Sequence, residues 1–264
     1  RTIGRSFASY IEDKTVIIGH DNRLSSPIIN EYLIKGLMEC GANIIDLGLC
    51  STPMYHVIKK HLKIKNGIMV TASHNPKIYN GFKISFSYYG NAYGEQIVDF
   101  KNFTLSENFT YLNNGTYEKF ENKEAIYLNY IKNGISLGNK RLKVIFDMGS
   151  STPSIIVKDV LDMFNIDYTI LFGESDGNFP YHHPDPFEKE NLKFLQEEVI
   201  KQNADIGIGI DGDGDRFGVV DNNGNIIDMD KIMTIIYKDM FTSMKKKEAI
   251  VGIRNVRTKM NVHP

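Results

Sequence analysis

One plan is written twice along this chain, and that repetition limits its possible folds more than any other feature. Thr15-Val16-Ile17-Ile18-Gly19 reads as a buried strand, being short, apolar and β-branched. Ser25-Ser26-Pro27 follows, with Ser26 placed to cap a helix and Pro27 at its first position, where the missing N–H costs nothing. That helix runs to about Cys40 and stops at Gly41. Asn43 to Gly48 is the next strand, Pro53 to His61 a helix, and Gly67-Ile68-Met69-Val70 a third strand. The same order returns in the second half. Lys143 to Asp147 is a strand, Ser150-Ser151-Thr152-Pro153 starts a helix that ends near Phe164, and Tyr168 to Gly173 is a strand. Glu190 to Lys201 is a helix and Asp205 to Ile210 the third strand. Pro27 and Pro153 stand 126 residues apart, and Gly48 and Gly173 stand 125 apart. The order β-α-β-α-β, twice, predicts an α/β protein of two repeated domains with parallel sheets covered by helices.

The expected boundaries are residues 1–135, 136–246 and 247–264, the last being the start of a third unit at Ala249-Ile250-Val251-Gly252. Ser6 to Ile11 reads as the tail of a helix, 103–116 as a loop, Glu121 to Asn133 as a helix, 134–139 as a linker, and Asp230 to Lys245 as a helix. In open α/β sheets ligands bind beyond the carboxyl ends of the strands. Two loops hold that place here, the one opening at Ser73 and the one opening at Asp211.

In the first of these, Val70 is followed by Thr71-Ala72-Ser73-His74-Asn75-Pro76, and Asn80-Gly81 turns the chain back into Phe82-Lys83-Ile84-Ser85. Asn75-Pro76 blocks helical continuation. Ser73, held between two breakers with His74 beside it and Lys83 ten residues on, fits a nucleophile or phosphate carrier, although the local pattern by itself favours an ordinary polar loop. The second loop, Asp211-Gly212-Asp213-Gly214-Asp215-Arg216, is chemically sharper. Three carboxylates at alternate positions repel one another unless a cation offsets them, and hard oxygen ligands point to Mg²⁺ or Ca²⁺. An EF-hand needs Gly at position 6 and Glu at position 12, where this loop has Arg216 and Asn222. A Ca²⁺ loop of another kind remains open. Mg²⁺ keeps few carboxylates and completes its shell with phosphate oxygens, which a phosphorylated Ser73 would supply.

Composition narrows the remaining classes. With 31 basic and 32 acidic residues the net charge is −1, so no electrostatic footprint for nucleic acid stands out. Lys245-Lys246-Lys247 reads as a solvated helix end. Cys40 and Cys50 make neither a disulfide framework nor a metal spacing. No apolar run approaches the ~18 residues of a membrane span. A soluble, cytoplasmic protein is the expectation.

Taken together, Thr71-Ala72-Ser73-His74-Asn75-Pro76, Asp211-Gly212-Asp213-Gly214-Asp215-Arg216 and Asp21-Asn22-Arg23-Leu24-Ser25-Ser26 resemble the α-D-phosphohexomutases, in particular their phosphomannomutase/phosphoglucomutase branch. Phe179-Pro180-Tyr181-His182-His183-Pro184-Asp185-Pro186 is similar to that branch's second-domain signature. The resemblance implies the first two domains of that family, with mixed, mainly parallel sheets and helices on both faces. It implies interconversion of hexose 6-phosphate and hexose 1-phosphate through a phosphoserine and a hexose 1,6-bisphosphate intermediate, which also serves as activator. Ser73 would be the phosphoserine, with His74, Lys83 and Arg23 around it. Asp211, Asp213 and Asp215 would hold Mg²⁺ together with the Ser73 phosphate, and Arg216 would face the phosphosugar substrate. His74 and Lys83 both stand as general base. The family's two sugar-recognising domains would follow Ile250, and its N-terminal strand would precede Arg1. The 264 residues are therefore expected to be inactive by themselves and to need those further domains. A fragment or degenerate paralogue that only binds Mg²⁺ or a partner is the alternative.

Overall fold

The computed structural model describes residues 1–243, and the expected strand at 249–252 lies outside them. The chain is an α/β protein, and its described residues form two five-stranded sheets. The first half runs α1 (Thr2–Tyr10), β1 (Thr15–His20), α2 (Ser26–Glu39), β2 (Asn43–Leu49), α3 (Thr52–His61), β3 (Asn66–Val70) and β4 (Phe82–Phe86). It ends with α4 (Glu95–Leu105), β5 (Thr116–Lys119) and α5 (Lys123–Gly134). Its sheet has the order β4-β3-β1-β2-β5, with β4 antiparallel to β3 and the other pairs parallel.

The second half runs β6 (Lys143–Asp147), α6 (Val157–Met163), β7 (Asp167–Leu171), α7 (Lys193–Lys201), β8 (Ile206–Ile210), β9 (Phe217–Asp221), β10 (Ile226–Ile227) and α8 (Met229–Ser243). Its sheet has the order β10-β9-β8-β6-β7, with β8, β6 and β7 parallel and β9 and β10 antiparallel additions. In both halves the first strand lies between the second and third. The first crossover therefore moves one way across the sheet and the second the other. Right-handed connections then put their helices on opposite faces.

The core of the first half shows this directly. Leu33 and Leu37 of α2 bury against one face of the sheet with Phe7 of α1 and Phe100 of α4. Met54, Tyr55 and Ile58 of α3 bury against the other face, where Ile17 and Met69 point. Coverage on both sides explains the unbroken apolar run of β1, since parallel strands clad on both faces have no solvent side to make polar. In the second half Leu195 and Val199 of α7 pack on Ile145 and Val220.

The elements differ from the sequence expectation where local pattern is weakest. The N-cap of α2 is Ser25, and Ser26 is buried with its hydroxyl on Asp21. The stretch 103–116 contains the end of α4, and β5 begins at Thr116 beside β2. Thr152–Ile155 and Lys189–Leu192 are single 3-10 turns ahead of shorter helices than expected. No helix among the described residues is long and apolar enough to cross a membrane.

Candidate active site

The two switch points, at the carboxyl ends of β1 and β3 in one sheet and of β6 and β8 in the other, face each other. Asn22, after β1, ties them together. Its backbone N–H donates to Thr152 Oγ1 at 3.0 Å, and its amide donates to Ser150 O at 2.8 Å and Ser175 Oγ at 2.9 Å. The loops after β3 and β8 meet in the cleft between them. Gly212 marks the closest approach, since a Cβ there would lie 2.5 Å from Ser73 O. Gly214 turns with φ +83°, in the left-handed region that a side chain would resist.

Ser73 is also left-handed, with φ +51°, and is almost fully buried. A non-glycine residue in that region stores strain that its surroundings must hold in place, and such residues cluster at functional sites. Arg23 does much of the holding. Its guanidinium donates to four carbonyls of the loop: Ser73 O at 2.6 Å, Asn75 O at 2.7 Å, Pro76 O at 2.9 Å and Tyr79 O at 3.1 Å. Asp21 pairs with it at 3.2 Å, and both residues are 1% exposed. Arg23 thus lies under the loop, engaged with its backbone.

The Ser73 hydroxyl donates to Asp211 Oδ2 at 2.7 Å. Lys83 Nζ bridges Asp213 at 2.5 Å and Asp215 at 2.6 Å. Burial lowers the affinity of Lys83 for its proton, but the two carboxylates outweigh it and raise its pKa. Asp213 is fully buried; desolvation pushes its carboxyl up, yet the Lys83 ammonium and its hydrogen bonds hold it below the ordinary value. Asp211 accepts from the Ser73 hydroxyl and the Arg216 N–H but has no ammonium against it. Burial, reinforced by the Asp213 charge, pushes its carboxyl up to about 7. His74 Nδ1 faces Arg216, with Asp185 at 3.5 Å; burial first and then the Arg216 charge hold its pKa down. Arg216 also lies over the Phe187 ring.

The structure brings His74, Lys83, Asp211, Asp213, Asp215 and Arg216 together at the cleft; Arg216, expected to face the substrate, lies on His74, and Arg23, expected around Ser73, lies beneath the loop on its carbonyls. Oxygens of the three aspartates lie within 4.8 Å of one another. Asp213 Oδ1 is buried and has no hydrogen-bond partner. A buried orphan carboxylate oxygen is costly, and beside two more carboxylates it makes a set of hard donors that fits a small divalent cation. Residues that sequence reasoning passed over also enter the site. Thr52 and Thr71 hydroxyls reach Asp213 at 2.6 and 3.2 Å, and Asp185 stands beside His74. The signal for Thr52 was present in the triplet Ser51-Thr52-Pro53, which recurs as Ser151-Thr152-Pro153.

Comparison with known proteins gives this arrangement its kin. The model of the phosphoglucomutase/phosphomannomutase alpha/beta/alpha domain I matches residues 1–101, and that of domain II matches residues 125–224. The chain belongs to the phosphohexomutase family. A phosphomannomutase/phosphoglucomutase of Pseudomonas putida is 38% identical over 242 residues, covering 92% of this chain and 51% of that protein. A phosphoglucomutase of Neisseria gonorrhoeae is 30% identical over 259 residues, covering 97% of this chain and 56% of that protein. The crystal structure of a phosphoglucomutase/phosphomannomutase family protein from Burkholderia thailandensis superposes with a TM-score of 0.83 at 30% identity, covering 91% of this chain and 54% of that one. The chain spans about half the length of the curated relatives it matches.

Proposed function

We propose that this phosphohexomutase chain carries the phosphoryl-transfer centre of an enzyme that interconverts hexose 6-phosphate and hexose 1-phosphate. A phosphorylated Ser73 would give its phosphoryl group to a sugar hydroxyl and take another back from the hexose 1,6-bisphosphate so formed. In each direction one Oγ–P or sugar O–P bond breaks as the other forms, and the hydroxyl's proton passes to a base of the loop. Of the two bases open from the sequence, Lys83 donates to two carboxylates and has no lone pair to offer in this arrangement, which supports His74. Arg216, turned now toward His74, would release that ring on turning to an anionic phosphosugar. The observation that carries this reading is the strained, buried Ser73 with its hydroxyl on Asp211, 2.7 Å away, among three converging carboxylates.

Asp211, Asp213 and Asp215 would hold Mg²⁺ together with the Ser73 phosphate. When bound, the ion would offset charge on the transferred oxygens, the main demand of phosphoryl transfer beyond positioning. Lys83 contributes positive charge at the same place. The relatives bear mutase names, and the sugar-selecting parts of such an enzyme are proposed to lie in further domains, without which these 264 residues would not sustain turnover. Protein isolated from its own cells should carry phosphate on Ser73 and lose it to hexose 6-phosphate in Mg²⁺ buffer, followed by intact mass and peptide mapping. Phosphate mapping elsewhere, or a Ser73 that stays bare after incubation with a hexose 1,6-bisphosphate, would overturn the reading.

A further inference from the structure

Each half contributes one Ser-Thr-Pro turn to the carboxylate loop, and the two turns take successive carbonyls of it. Thr152 N donates to Gly212 O at 3.0 Å, and Thr52 N donates to Asp213 O at 2.9 Å. Their hydroxyls part company. Thr152 Oγ1 serves Asn22, accepting from its backbone N–H and meeting its amide oxygen at 3.1 Å. Thr52 Oγ1 donates to Asp213 Oδ2 at 2.6 Å. Thr71 Oγ1 donates to the same oxygen at 3.2 Å while accepting from Ser73 N at 2.9 Å, and Lys83 Nζ makes the third contact at 2.5 Å.

The hydrogen bonds to the Asp213 carboxylate therefore come from the other half of the molecule, and they fall on one oxygen. Oδ2 is saturated by Thr52, Thr71 and Lys83, while Oδ1 is buried with no partner. Rotation of the carboxylate would break up to three bonds at once, so the group is fixed with Oδ1 as its one free ligand atom. A lysine can swing out on its flexible stem, but a threonine hydroxyl on a helix start or strand end cannot. We propose that Thr52 and Thr71 are positioning residues that lock the Asp213 carboxylate with one oxygen presented to the divalent cation, so that cation affinity in the second half is set by hydroxyls of the first. The inference rests on the metal role proposed above. Partners that orient a ligating carboxylate are worth about 10–100-fold in metal affinity.

The test uses Mn²⁺ alone as probe, with free Mn²⁺ counted by electron paramagnetic resonance, on wild type, Thr52→Val, Thr52→Ser, Thr71→Val and Thr152→Val. Thr52→Val keeps the shape and removes the donor, and should weaken Mn²⁺ at least tenfold. Thr71→Val should weaken it less, through its longer bond. Thr52→Ser should bind within about twofold of wild type, a rescue that a packing role for the methyl group would not give. Thr152→Val, which keeps the backbone bond to Gly212 O and loses only the hydroxyl's tie to Asn22, should weaken Mn²⁺ by less than Thr52→Val does. Melting curves confirm folding, and Thr52→Ala replaces the valine variant if that one does not fold. Wild-type affinity in the Thr52 variant, or an equal loss in Thr152→Val, overturns the proposal while leaving the metal site standing. A wild type that binds no Mn²⁺ overturns the metal role itself.

Discussion

The loops after β3 and β8 hold the same place in two copies of one sheet plan, but they are built by opposite means. The first runs from Thr71 to Gly81 and is held from outside, by an arginine from the loop after β1 that takes four of its carbonyls. The second runs only from Asp211 to Arg216 and is shaped chiefly by its own first residue, with Thr152 N and Thr52 N taking the carbonyls of Gly212 and Asp213. Asp211 Oδ1 accepts from Gly214 N and from Arg216 N, each at 3.0 Å, and Asp211 N donates back to Arg216 O at 3.1 Å. A loop too long to satisfy its own carbonyls needs a buried multivalent donor, and arginine, with five N–H groups in a rigid fork, suits that task. A short loop closes around one carboxylate. The difference predicts where each loop is fragile: the first at a residue remote in sequence, the second at its own start.

Removing the external clip should have the largest effect. Arg23→Met keeps the bulk of the stem but leaves four carbonyls without their donor and the buried Asp21 carboxylate without its counter-charge. Breaking one side of a buried ion pair costs roughly 3–5 kcal/mol, and the lost carbonyl bonds add to that. Chemical denaturation should show a loss of that order, and amide exchange should show the 73–79 segment opening. A variant as stable as wild type, with the loop still protected, would show that Arg23 does not hold it.

The second loop should respond differently at its own anchor. Asp211→Asn retains an oxygen that can accept from Gly214 N and Arg216 N, so the turn survives, and it removes a carboxyl whose charge burial already disfavours. Denaturation should therefore show a change within about 1 kcal/mol, whereas Mn²⁺ affinity should fall at least tenfold. Loss of the turn in this variant, seen as disrupted amide resonances of 212–216, would mean that the negative charge and not the acceptor geometry shapes the loop.

This asymmetry also explains what the sequence disclosed. The doubled β-α-β-α-β order was legible because parallel strands clad on both faces leave continuous apolar runs, and serine-proline helix starts punctuate them. β5 escaped notice because Thr116-Tyr117-Glu118-Lys119 is an edge strand, exposed at each residue and held by β2, with no apolar signature of its own. The carboxylate loop declared itself because its anchor and its chemistry fall within six residues. The role of Arg23 under the first loop did not, because it depends on carbonyls some fifty residues away, and backbone acceptors have no residue identity to read. Thr52 was marked by the repeated Ser-Thr-Pro triplet, but its bond was hidden: its partner Asp213 is 161 residues distant, and only folding brings them together.

The smallest effect concerns a buttress of the second loop. Pro184 lies against Gly212, and the segment bearing it is tied down at His182, whose Nε2 meets both oxygens of Asp147 at 3.0 Å. The other ring nitrogen, Nδ1, faces His183 O at 3.0 Å. Both nitrogens thus face acceptors, and only the doubly protonated imidazolium donates to both. Burial works against that charge, but Asp147, as hydrogen-bond partner and as charge, raises the pKa above its ordinary value. The sign of the pH dependence follows. A group with a raised folded pKa stabilises fully below its unfolded pKa, about 6.5 for histidine, and the contribution disappears as pH rises through the higher folded value. Thermal melts of wild type should therefore lose stability from about pH 6.5 upward by an amount absent in His182→Gln, which still reaches Asp147 but does not titrate. The difference between the two melting curves isolates this residue from the other titrating groups. A difference that stays flat from pH 6 to 9, or widens toward high pH, would show that His182 is held neutral and that the buttress is not charged.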